Sequence, residues 1–212
     1  MDKLLIYTAG SASRELKLMI DQLNEGKPTW NIIGFLDEDP NIVGQEVEGI
    51  PVYDLEHKEQ AHDVYGICPV LDPLVRQRII ERNIEGARRK LATILFPTVA
   101  LPRDLNIGPG SIVMPGALIG YNVKIGKGVL IWWRSLIGHD LCVGDYSSIL
   151  SSANITGRCS IGKRCTIGAG ATLNVGVTVG DDSIVGIGTT IFQNVGAKKS
   201  VVAIPRLVSL DR

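Results

Sequence analysis

His139 and Asp140 are neighbours in the sequence, and their side chains can cooperate in proton transfer. Imidazole exchanges a proton near neutral pH, so a histidine can act as the general base for an attacking amine or hydroxyl. A carboxylate, from Asp140 or from a neighbouring subunit, can hold the ring in one tautomer and raise its basicity. The alternative interpretation is that His139 is an ordinary surface histidine.

The chain around His139 repeats with a period of six residues. Every sixth residue is aliphatic from Ile107 to Ile191, and the residue four places after each of them is mostly small, with Leu141 as the one large member. The aliphatic positions are Ile107, Val113, Ile119, Ile125, Ile131, Ile137, Val143, Ile149, Ile155, Ile161, Ile167, Leu173, Val179, Val185 and Ile191. This spacing is typical of short strands with one inward side chain, separated by tight corners. Three strands close a triangular coil, so the fifteen positions predict a solenoid of about five coils with no long loop leaving it.

The same period predicts which residues lie beside His139. His139 stands two places after Ile137, an outward-facing position. Gly157 follows eighteen residues later, which is one full coil. A corner glycine leaves its backbone N–H open to a ligand, so Gly157 is a candidate donor to a negatively charged oxygen that develops on a ligand. A plain turn glycine is the alternative.

Trp132 and Trp133 occupy positions where most other steps hold glycine or polar residues. Paired exposed tryptophans are typical of contact surfaces. We expect them either to pack against a neighbouring subunit or to form a wall for a ligand.

The composition changes near residue 100, where charged, helix-like stretches give way to Gly, Ile, Val, Ser and Thr. We therefore expect two domains, 1–100 and 101–196, joined between Phe96 and Arg103. The first domain is predicted to be a small parallel α/β unit. Its predicted strands are Lys3–Thr8, Trp30–Leu36, Val64–Cys68 and Leu91–Leu95, and its predicted helices are Arg14–Leu23 and Pro73–Asn83.

Gly10, Ser11 and Ala12 follow the first predicted strand in a tight turn before a helix, which is where nucleotide-binding folds hold phosphate. Asp37 and Glu38 follow the second strand, where a carboxylate can contact a ribose or base. Two of the three glycines of the usual phosphate motif are missing. From these residues alone, nucleotide binding and a simple turn both stay open.

The overall composition of the chain limits the classes of partner that it can be expected to bind. Twenty-two basic residues balance twenty-two acidic ones, which favours a small-molecule partner over nucleic acid or a membrane surface. We see no membrane span and no secretory signal, and we expect a cytoplasmic protein. The four cysteines contain no Cys-x-x-Cys pair, so we expect reduced thiols and no metal site. Cys159 and Cys165 occupy small-residue corners, where a packing role is expected.

Four stretches resemble the sugar acetyltransferases related to sialic acid O-acetyltransferase and the bacillosamine-pathway N-acetyltransferase. They are residues 6–16, 34–38, 137–140 and 201–205. The resemblance implies a Rossmann-like α/β domain followed by a left-handed parallel β-helix, with a tail over residues 197–212 that closes over the CoA groove. The family's loop usually reads Gly-Ala-Gly-Gly-His-Gly, where this chain has residues 8–13. The family frequently has Gly-Asn after the third strand and His-Pro at the domain junction. This chain has Pro69-Val70 and Phe96-Pro97 at those two places.

The resemblance also implies roles for individual residues. His139 and Asp140 would be catalytic. Residues implied to bind the sugar substrate are Gly10, Ser11, Ala12, Asp37, Glu38 and Pro69. Residues implied to bind acetyl-CoA are Ser148, Gly157, Ala169, Lys198 and Pro205.

The implied function is transfer of the acetyl group of acetyl-CoA to the amine of a nucleotide-linked 4-amino-sugar by direct attack, in a homotrimer that serves polysaccharide synthesis. O-acetylation of sialic acid or a related sugar hydroxyl is the alternative, and UDP, dTDP and GDP all remain open as the nucleotide. A zinc carbonic anhydrase of the same fold would need three histidine ligands on the solenoid, where only His139 is present. A non-catalytic scaffold is a further alternative.

Overall fold

The computed structural model describes residues 1–55, 63–96, 102 and 105–203. Its N-terminal part is an α/β unit built on a six-stranded sheet of order β3-β4-β2-β1-β5-β6. Neighbouring strands run parallel except for the β3–β4 pair. The elements are β1 (Asp2–Tyr7), α1 (Ser11–Gly26), β2 (Trp30–Asp37), β3 (Glu46–Val47), β4 (Ile50–Asp54), β5 (Val64–Ile67), α2 (Pro73–Ile79), a π-helical segment (Ile80–Glu85) and β6 (Lys90–Leu91).

The central strand β1 and the helix α1 form the core of this α/β unit. Residues 4–7 of β1 are fully buried, as expected for a parallel strand covered on both faces. Helix α1 packs with Leu16 and Ile20 buried, which is the helical spacing seen in the sequence. The predicted strands and helices of this unit are confirmed in position, with boundaries shifted by a few residues. The hairpin β3–β4 was not predicted, and the predicted strand Leu91–Leu95 is split into β6 and β7 (Ile94–Leu95).

The C-terminal part is a solenoid of short parallel strands. The strands are β8 (Asn106–Ile107), β9 (Ile112–Val113), β10 (Leu118–Ile119), β11 (Val123–Ile125), β12 (Leu130–Ile131), β13 (Leu136–Ile137), β14 (Leu141–Val143), β15 (Ser148–Ile149), β16 (Asn154–Ile155), β17 (Ser160–Ile161), β18 (Thr166–Ile167), β19 (Thr172–Leu173), β20 (Thr178–Val179), β21 (Ile184–Val185), β22 (Thr190–Ile191) and β23 (Ser200–Val201). Paired residues are three periods apart, as in Ile119↔Ile137 and Ile137↔Ile155. The predicted coil of six-residue steps is therefore confirmed.

Three sheets form the faces of the solenoid. Face 1 contains β7, β9, β12, β15, β18, β21 and β23; face 2 contains β10, β13, β16, β19 and β22; face 3 contains β8, β11, β14, β17 and β20. The chain visits faces 1, 2 and 3 in turn, and we name each corner by the two faces it joins. Because β7 pairs with β9, the chain leaves the N-terminal sheet between Leu91 and Ile94.

The corners depend on a left-handed backbone conformation at their second residue. Asn122, Asp140 and Arg158 adopt φ values of 53°, 51° and 60° at successive turns of corner 2–3. Asparagine and aspartate tolerate this conformation better than most residues, because their short polar side chains bond locally. The inward aliphatic residues are buried, apart from the partly buried Ile107 in the first solenoid strand. Each coil therefore repeats the same corner geometry every eighteen residues.

The tryptophan pair corrects one expectation. Trp132 is only 6% exposed and belongs to the same buried cluster as Ile94 and Phe96, so the expectation that both indoles are exposed is wrong for Trp132. Trp133 is partly buried, and its Nε1 has no hydrogen-bond partner among the described residues.

A buried arginine fastens the N-terminal unit to the solenoid. Arg76 on α2 is fully buried, and its guanidinium donates to the carbonyls of Val70 and Leu71 beside α2 and of Gly128 and Tyr146 on corner 3–1. Burial lowers the pKa of Arg76 to about 10, so the group stays charged at neutral pH. The guanidinium of Arg76 therefore links the two units by hydrogen bonds to main-chain carbonyls. No helix within the described ranges is long and apolar enough to cross a membrane.

The four cysteines differ sharply in their exposure. Cys68, Cys159 and Cys165 are buried, whereas Cys142 on face 3 is exposed. Burial raises the pKa of the Cys68 thiol to about 11 and also raises that of Cys165, and thiols react as thiolates. We expect one fast-reacting thiol per chain with Ellman's reagent at pH 8 and four after denaturation. The Cys142→Ser chain should show none in the native state, and a second fast thiol in the native protein would contradict this prediction.

Candidate active site

The candidate base stands at corner 2–3, between β13 and β14. Nδ1 of His139 lies 2.9 Å from Oδ2 of Asp140. An ionised carboxylate only accepts hydrogen bonds, so Nδ1 carries the proton and Nε2 is left as the basic nitrogen. The pKa of Asp140 is lowered by the hydrogen bond from Asn122 and then by that from His139, so this carboxyl is ionised at neutral pH. The side chain of His139 is 54% exposed, which leaves the ring accessible from solvent.

Gly157 lies directly below the ring, one coil further along. A Cβ atom added to Gly157 would stand 2.5 Å from Nε2 of His139. The backbone N–H of Arg158 donates to the carbonyl oxygen of His139 at 2.8 Å, which fixes the spacing of the two corners. Position 157 therefore has to be a glycine for the ring to occupy its place.

Corner 2–3 also differs from corner 3–1 in how its backbone N–H groups are used. At corner 3–1, the N–H groups of Lys127 and Lys163 are capped by the carboxylates of Asp145 and Asp181 from the following coil. At corner 2–3, the residue eighteen places after Gly157 is Val175, which has no acceptor to offer. Among the described residues, none accepts the N–H of Gly157. This donor is therefore free to bind an oxyanion.

A second site lies at the carboxyl ends of β1 and β2, in a cavity of about 430 Å³. Its lining residues are Tyr7, Thr8, Asp37, Glu38, Leu55, Val75, Arg78, Ile79, Arg82 and Asn83. Asp37 and Glu38 lie on one side, while Arg78 and Arg82 come from α2 and the π-helical segment. A cavity at the carboxyl edge of a parallel sheet is the usual position for a ligand in such folds. Two guanidinium groups there suit a phosphorylated ligand.

Asp37 also stabilises the loop that follows β1. Its Oδ2 accepts from the N–H of Ala9 at 2.8 Å, and its Oδ1 accepts from the N–H of Asp39 at 3.0 Å. Thr8 in this loop has φ 76°, a strained conformation for a β-branched residue, and its Oγ1 lies 2.9 Å from Oγ of Ser13. The loop is held in one shape at the edge of the cavity.

Buried groups of the N-terminal unit fix the floor of this cavity. The hydroxyl of Tyr7 donates to the carbonyl of Asn83 at 2.9 Å and accepts from Arg89 at 2.5 Å. Burial raises the pKa of Tyr7, so its hydroxyl stays protonated at neutral pH. The tyrosine hydroxyl at the cavity floor is therefore protonated and hydrogen-bonded on both sides.

The structure brings some of the sequence-predicted residues together and separates others. His139, Asp140 and Gly157 meet at corner 2–3, and Asp37 and Glu38 meet in the cavity. Gly10, Ser11 and Ala12 lie at the start of α1 and do not line the cavity.

The other predicted residues lie elsewhere. Pro69 is buried after β5, and Ser148 is buried on face 1, where its hydroxyl donates to the carbonyl of Leu71 at 2.6 Å. Ala169 stands on corner 1–2 and Lys198 on corner 3–1. Pro205 lies outside the described residues. Their predicted contacts with ligands stay predictions.

Sequence reasoning missed four residues that the structure places at these sites. Arg78 and Arg82 line the cavity, and Tyr121 and Asn122 stand beside the His139–Asp140 pair. The four-residue spacing of the two arginines on a predicted helix was an available signal. The eighteen-residue spacing from Tyr121 to His139 was another.

Comparisons with known proteins agree on the fold. A family model described as the hexapeptide repeat of succinyl-transferase matches residues 158–193. Among curated proteins, sequence comparison gives no significant match.

Solved structures match over nearly the whole chain. The acetyltransferase domain of PglB from Neisseria gonorrhoeae is 24% identical with a TM-score of 0.83, and the match covers 96% of this chain and 97% of that one. Perosamine N-acetyltransferase from Caulobacter crescentus, solved with CoA and GDP-perosamine, is 23% identical with a TM-score of 0.84, covering 100% and 98%. WeeI from Acinetobacter baumannii is 22% identical with a TM-score of 0.84, covering 94% and 96%. The predicted resemblance to hexapeptide-repeat sugar acetyltransferases is thereby confirmed, and the chain shares the fold of these three proteins over almost all of its length.

Proposed function

We propose that this chain is an acetyl-CoA-dependent N-acetyltransferase that acts on the amine of a nucleotide-linked 4-amino-sugar. The observation that carries the proposal is the geometry of corner 2–3, where a carboxylate-oriented imidazole stands over a glycine with a free backbone N–H. The fold shared with perosamine N-acetyltransferase, whose solved complex contains CoA and GDP-perosamine, supports the same reaction. The proposal assigns no metal to the reaction.

The proposed reaction is a direct attack. The neutral amine attacks the carbonyl carbon of the thioester while Nε2 of His139 accepts the amine proton. As the C–N bond forms, the carbonyl oxygen gains negative charge and accepts from the N–H of Gly157. The intermediate then collapses, the C–S bond breaks, and the imidazolium returns its proton to the sulfur of CoA. Asp140 keeps the proton of the resting ring on Nδ1 throughout.

The proposed architecture is a Rossmann-like unit over 1–100 and a left-handed β-helix of about five coils over 101–196. In this proposal, Arg78 and Arg82 bind the diphosphate of the substrate in the cavity, while Asp37 and Glu38 contact the ribose or base. The predicted tail over 197–212 stays a prediction, because its residues 204–212 lie outside the described residues. The enzyme is proposed to work in the cytoplasm in polysaccharide synthesis. The nucleotide and sugar would place the amine at the solenoid edge.

The decisive experiment is an acceptor panel. The purified chain is incubated with acetyl-CoA and with UDP-, dTDP- or GDP-linked 4-amino-sugars, or with sialic acid, and release of the CoA thiol is followed. We expect turnover with one nucleotide-linked amine and an amide product resistant to mild base. A base-labile ester product would instead establish O-acetylation, and no turnover with any acceptor would reject the proposal.

We predict that the enzyme is a homotrimer. The cavity lies within the N-terminal unit, which packs on corner 3–1, whereas His139 stands at corner 2–3 of the same chain. A neighbouring subunit can bring the cavity of one chain to the base of another. Leu118 and Leu136 on face 2, with the nearby Tyr121, are exposed apolar groups that such a contact would cover. Light scattering should give three times the chain mass of 22.9 kDa, and a dilution-independent single-chain mass would contradict the prediction.

We predict that Asp37→Ala weakens binding of the nucleotide-sugar and leaves acetyl-CoA binding unchanged. A charged hydrogen bond contributes about 1.5–3 kcal/mol, which corresponds to a rise in Kd of roughly ten- to a hundredfold. Loss of the anchor to Ala9 adds to the effect, because the loop at the cavity edge is released. Calorimetric titration of each ligand measures both constants.

The exposed Glu25→Ala on α1 is the matched control, since it removes a carboxylate far from the cavity. Equal weakening of both ligands by Asp37→Ala, or of neither, would show that this cavity is not the nucleotide site.

A further inference from the structure

Tyr121 and Asn122 form the turn of corner 2–3 that precedes His139 and Asp140 by one coil. The strands before these two turns are paired in register, with Leu118 opposite Leu136 and Ile119 opposite Ile137. The N–H of Asp140 also donates to the carbonyl of Tyr121 at 3.0 Å. The two turns are therefore stacked, and residues eighteen apart lie directly over one another.

Asn122 holds the outer oxygen of the Asp140 carboxylate. Its Nδ2 donates to Oδ1 of Asp140 at 2.7 Å, while Oδ2 of the same carboxylate faces Nδ1 of His139 at 2.9 Å. One oxygen is thus fixed by the amide and the other by the ring. A carboxylate held at only one oxygen can rotate about its Cβ–Cγ bond, whereas contacts at both oxygens fix its plane. The short chain asparagine–aspartate–histidine defines where the imidazole points.

The ring of Tyr121 lies nearly parallel to the imidazole, on the side of the preceding coil. The two ring centroids are 6.5 Å apart with an interplanar angle of 17°. On the opposite side, Nε2 and its neighbouring ring carbons lie over Gly157. The ring is therefore bounded by an aromatic face from the preceding coil and by backbone from the following coil.

We propose that Asn122 is a positioning residue for the His139–Asp140 pair, with Tyr121 restricting the ring from the same turn. Neither residue needs to touch the reacting atoms. Asn122 acts through Asp140, which in turn keeps the proton on Nδ1 and aims Nε2 at the acceptor amine. This inference rests on the proposed function for the role of His139 as the base, while the asparagine–aspartate–histidine contacts stand on the geometry alone.

The test combines two variants with a matched control. Asn122→Gly removes the amide without backbone strain, because glycine accepts the left-handed φ of 53° at this position. Asn122→Asp keeps the shape of the side chain but sets a second carboxylate against Asp140. Ser152→Gly makes the same kind of change at a left-handed residue, φ 58°, on corner 1–2. All three chains are compared with the wild type in the full-length assembly.

Two measurements are made on each protein. The first is the tautomer of His139, read from long-range ¹H–¹⁵N correlations in protein labelled at histidine and assigned by the signal lost in His139→Ala. The second is the steady-state rate of acetylation, measured with the acceptor that the wild-type chain acetylates. We expect Asn122→Gly to convert a single Nδ1–H tautomer into a mixture and to lower kcat by about ten- to a hundredfold, the effect of a misplaced reacting group. The KM for acetyl-CoA should be unchanged, Asn122→Asp should have the larger effect on kcat, and Ser152→Gly should match the wild type.

The outcomes separate this inference from the proposed function. A single tautomer in Asn122→Gly together with an unchanged kcat would overturn the positioning role. If the wild type acetylates no acceptor, the proposed function fails. The tautomer signal alone then decides whether Asn122 positions the His139–Asp140 pair. A mixture in Asn122→Gly but not in Ser152→Gly supports the positioning role in that case, and identical spectra reject it.

Discussion

Replacing His139 with alanine is expected to lower kcat by about two to four orders of magnitude, the usual contribution of a positioned general base. The fold should survive, because the main-chain bond from Arg158 uses the carbonyl oxygen of His139, which alanine retains. The binding of acetyl-CoA should be nearly unchanged, since the imidazole acts on the amine and not on the resting thioester. Stopped assays for kcat and calorimetry for acetyl-CoA measure the two effects separately.

The matched control for this variant is Lys124→Ala, which shortens an exposed side chain on face 3 next to the same corner. It should keep the rate of the wild type. A His139→Ala protein that turns over as fast as the wild type would remove the imidazole from the mechanism.

Gly157→Ala is expected to reduce turnover by about a hundredfold while the melting temperature changes little. The new methyl group would stand 2.5 Å from Nε2 of His139, closer than any stable contact. Backbone strain does not arise, because Gly157 does not adopt a positive φ. The ring is a movable side chain and should swing away, which breaks its hydrogen bond to Asp140 and covers the N–H proposed to bind the oxyanion.

Gly26→Ala provides the comparison for Gly157→Ala. Gly26 ends α1, and an added Cβ there meets no atom within 4 Å. This chain should keep full activity. Normal kcat in Gly157→Ala would mean that the ring can leave its place over Gly157 without loss, and the assigned geometry of corner 2–3 would then be wrong.

The solenoid was predictable because its physics is local and periodic. A single inward aliphatic residue such as Ile137 recurs in every six-residue step, and the same step fixes where a corner such as His139–Asp140 must fall. The pairing of His139 with Gly157 also follows from the period, because three steps bring the chain back to the same corner. The candidate base and its orienting carboxylate could therefore be located without a structure.

Contacts between distant parts of the chain could not be predicted in the same way. Ser148 occupies an outward position on face 1, yet Leu71 of the N-terminal unit covers it. Trp132 follows an aliphatic residue at a position often held by glycine, yet it is buried in a cluster that includes Phe96. The residues adjacent in sequence to Ser148 and Trp132 do not indicate that either side chain is buried. The cavity arginines were missed for a related reason, since only the folded sheet shows which face of their helix points towards Asp37.

Arg76 makes an opening motion between the two units costly. Swinging the α/β unit away from the solenoid would strip a guanidinium of its carbonyl acceptors on Gly128 and Tyr146, and a hydrogen bond to a charged group contributes about 1.5–3 kcal/mol. For the proposed enzyme, we therefore expect substrate entry and product release without hinge motion of the α/β unit within one chain. The proposed acceptor would then enter through the mouth of the cavity, and side chains or a neighbouring subunit of the proposed trimer would supply any gating.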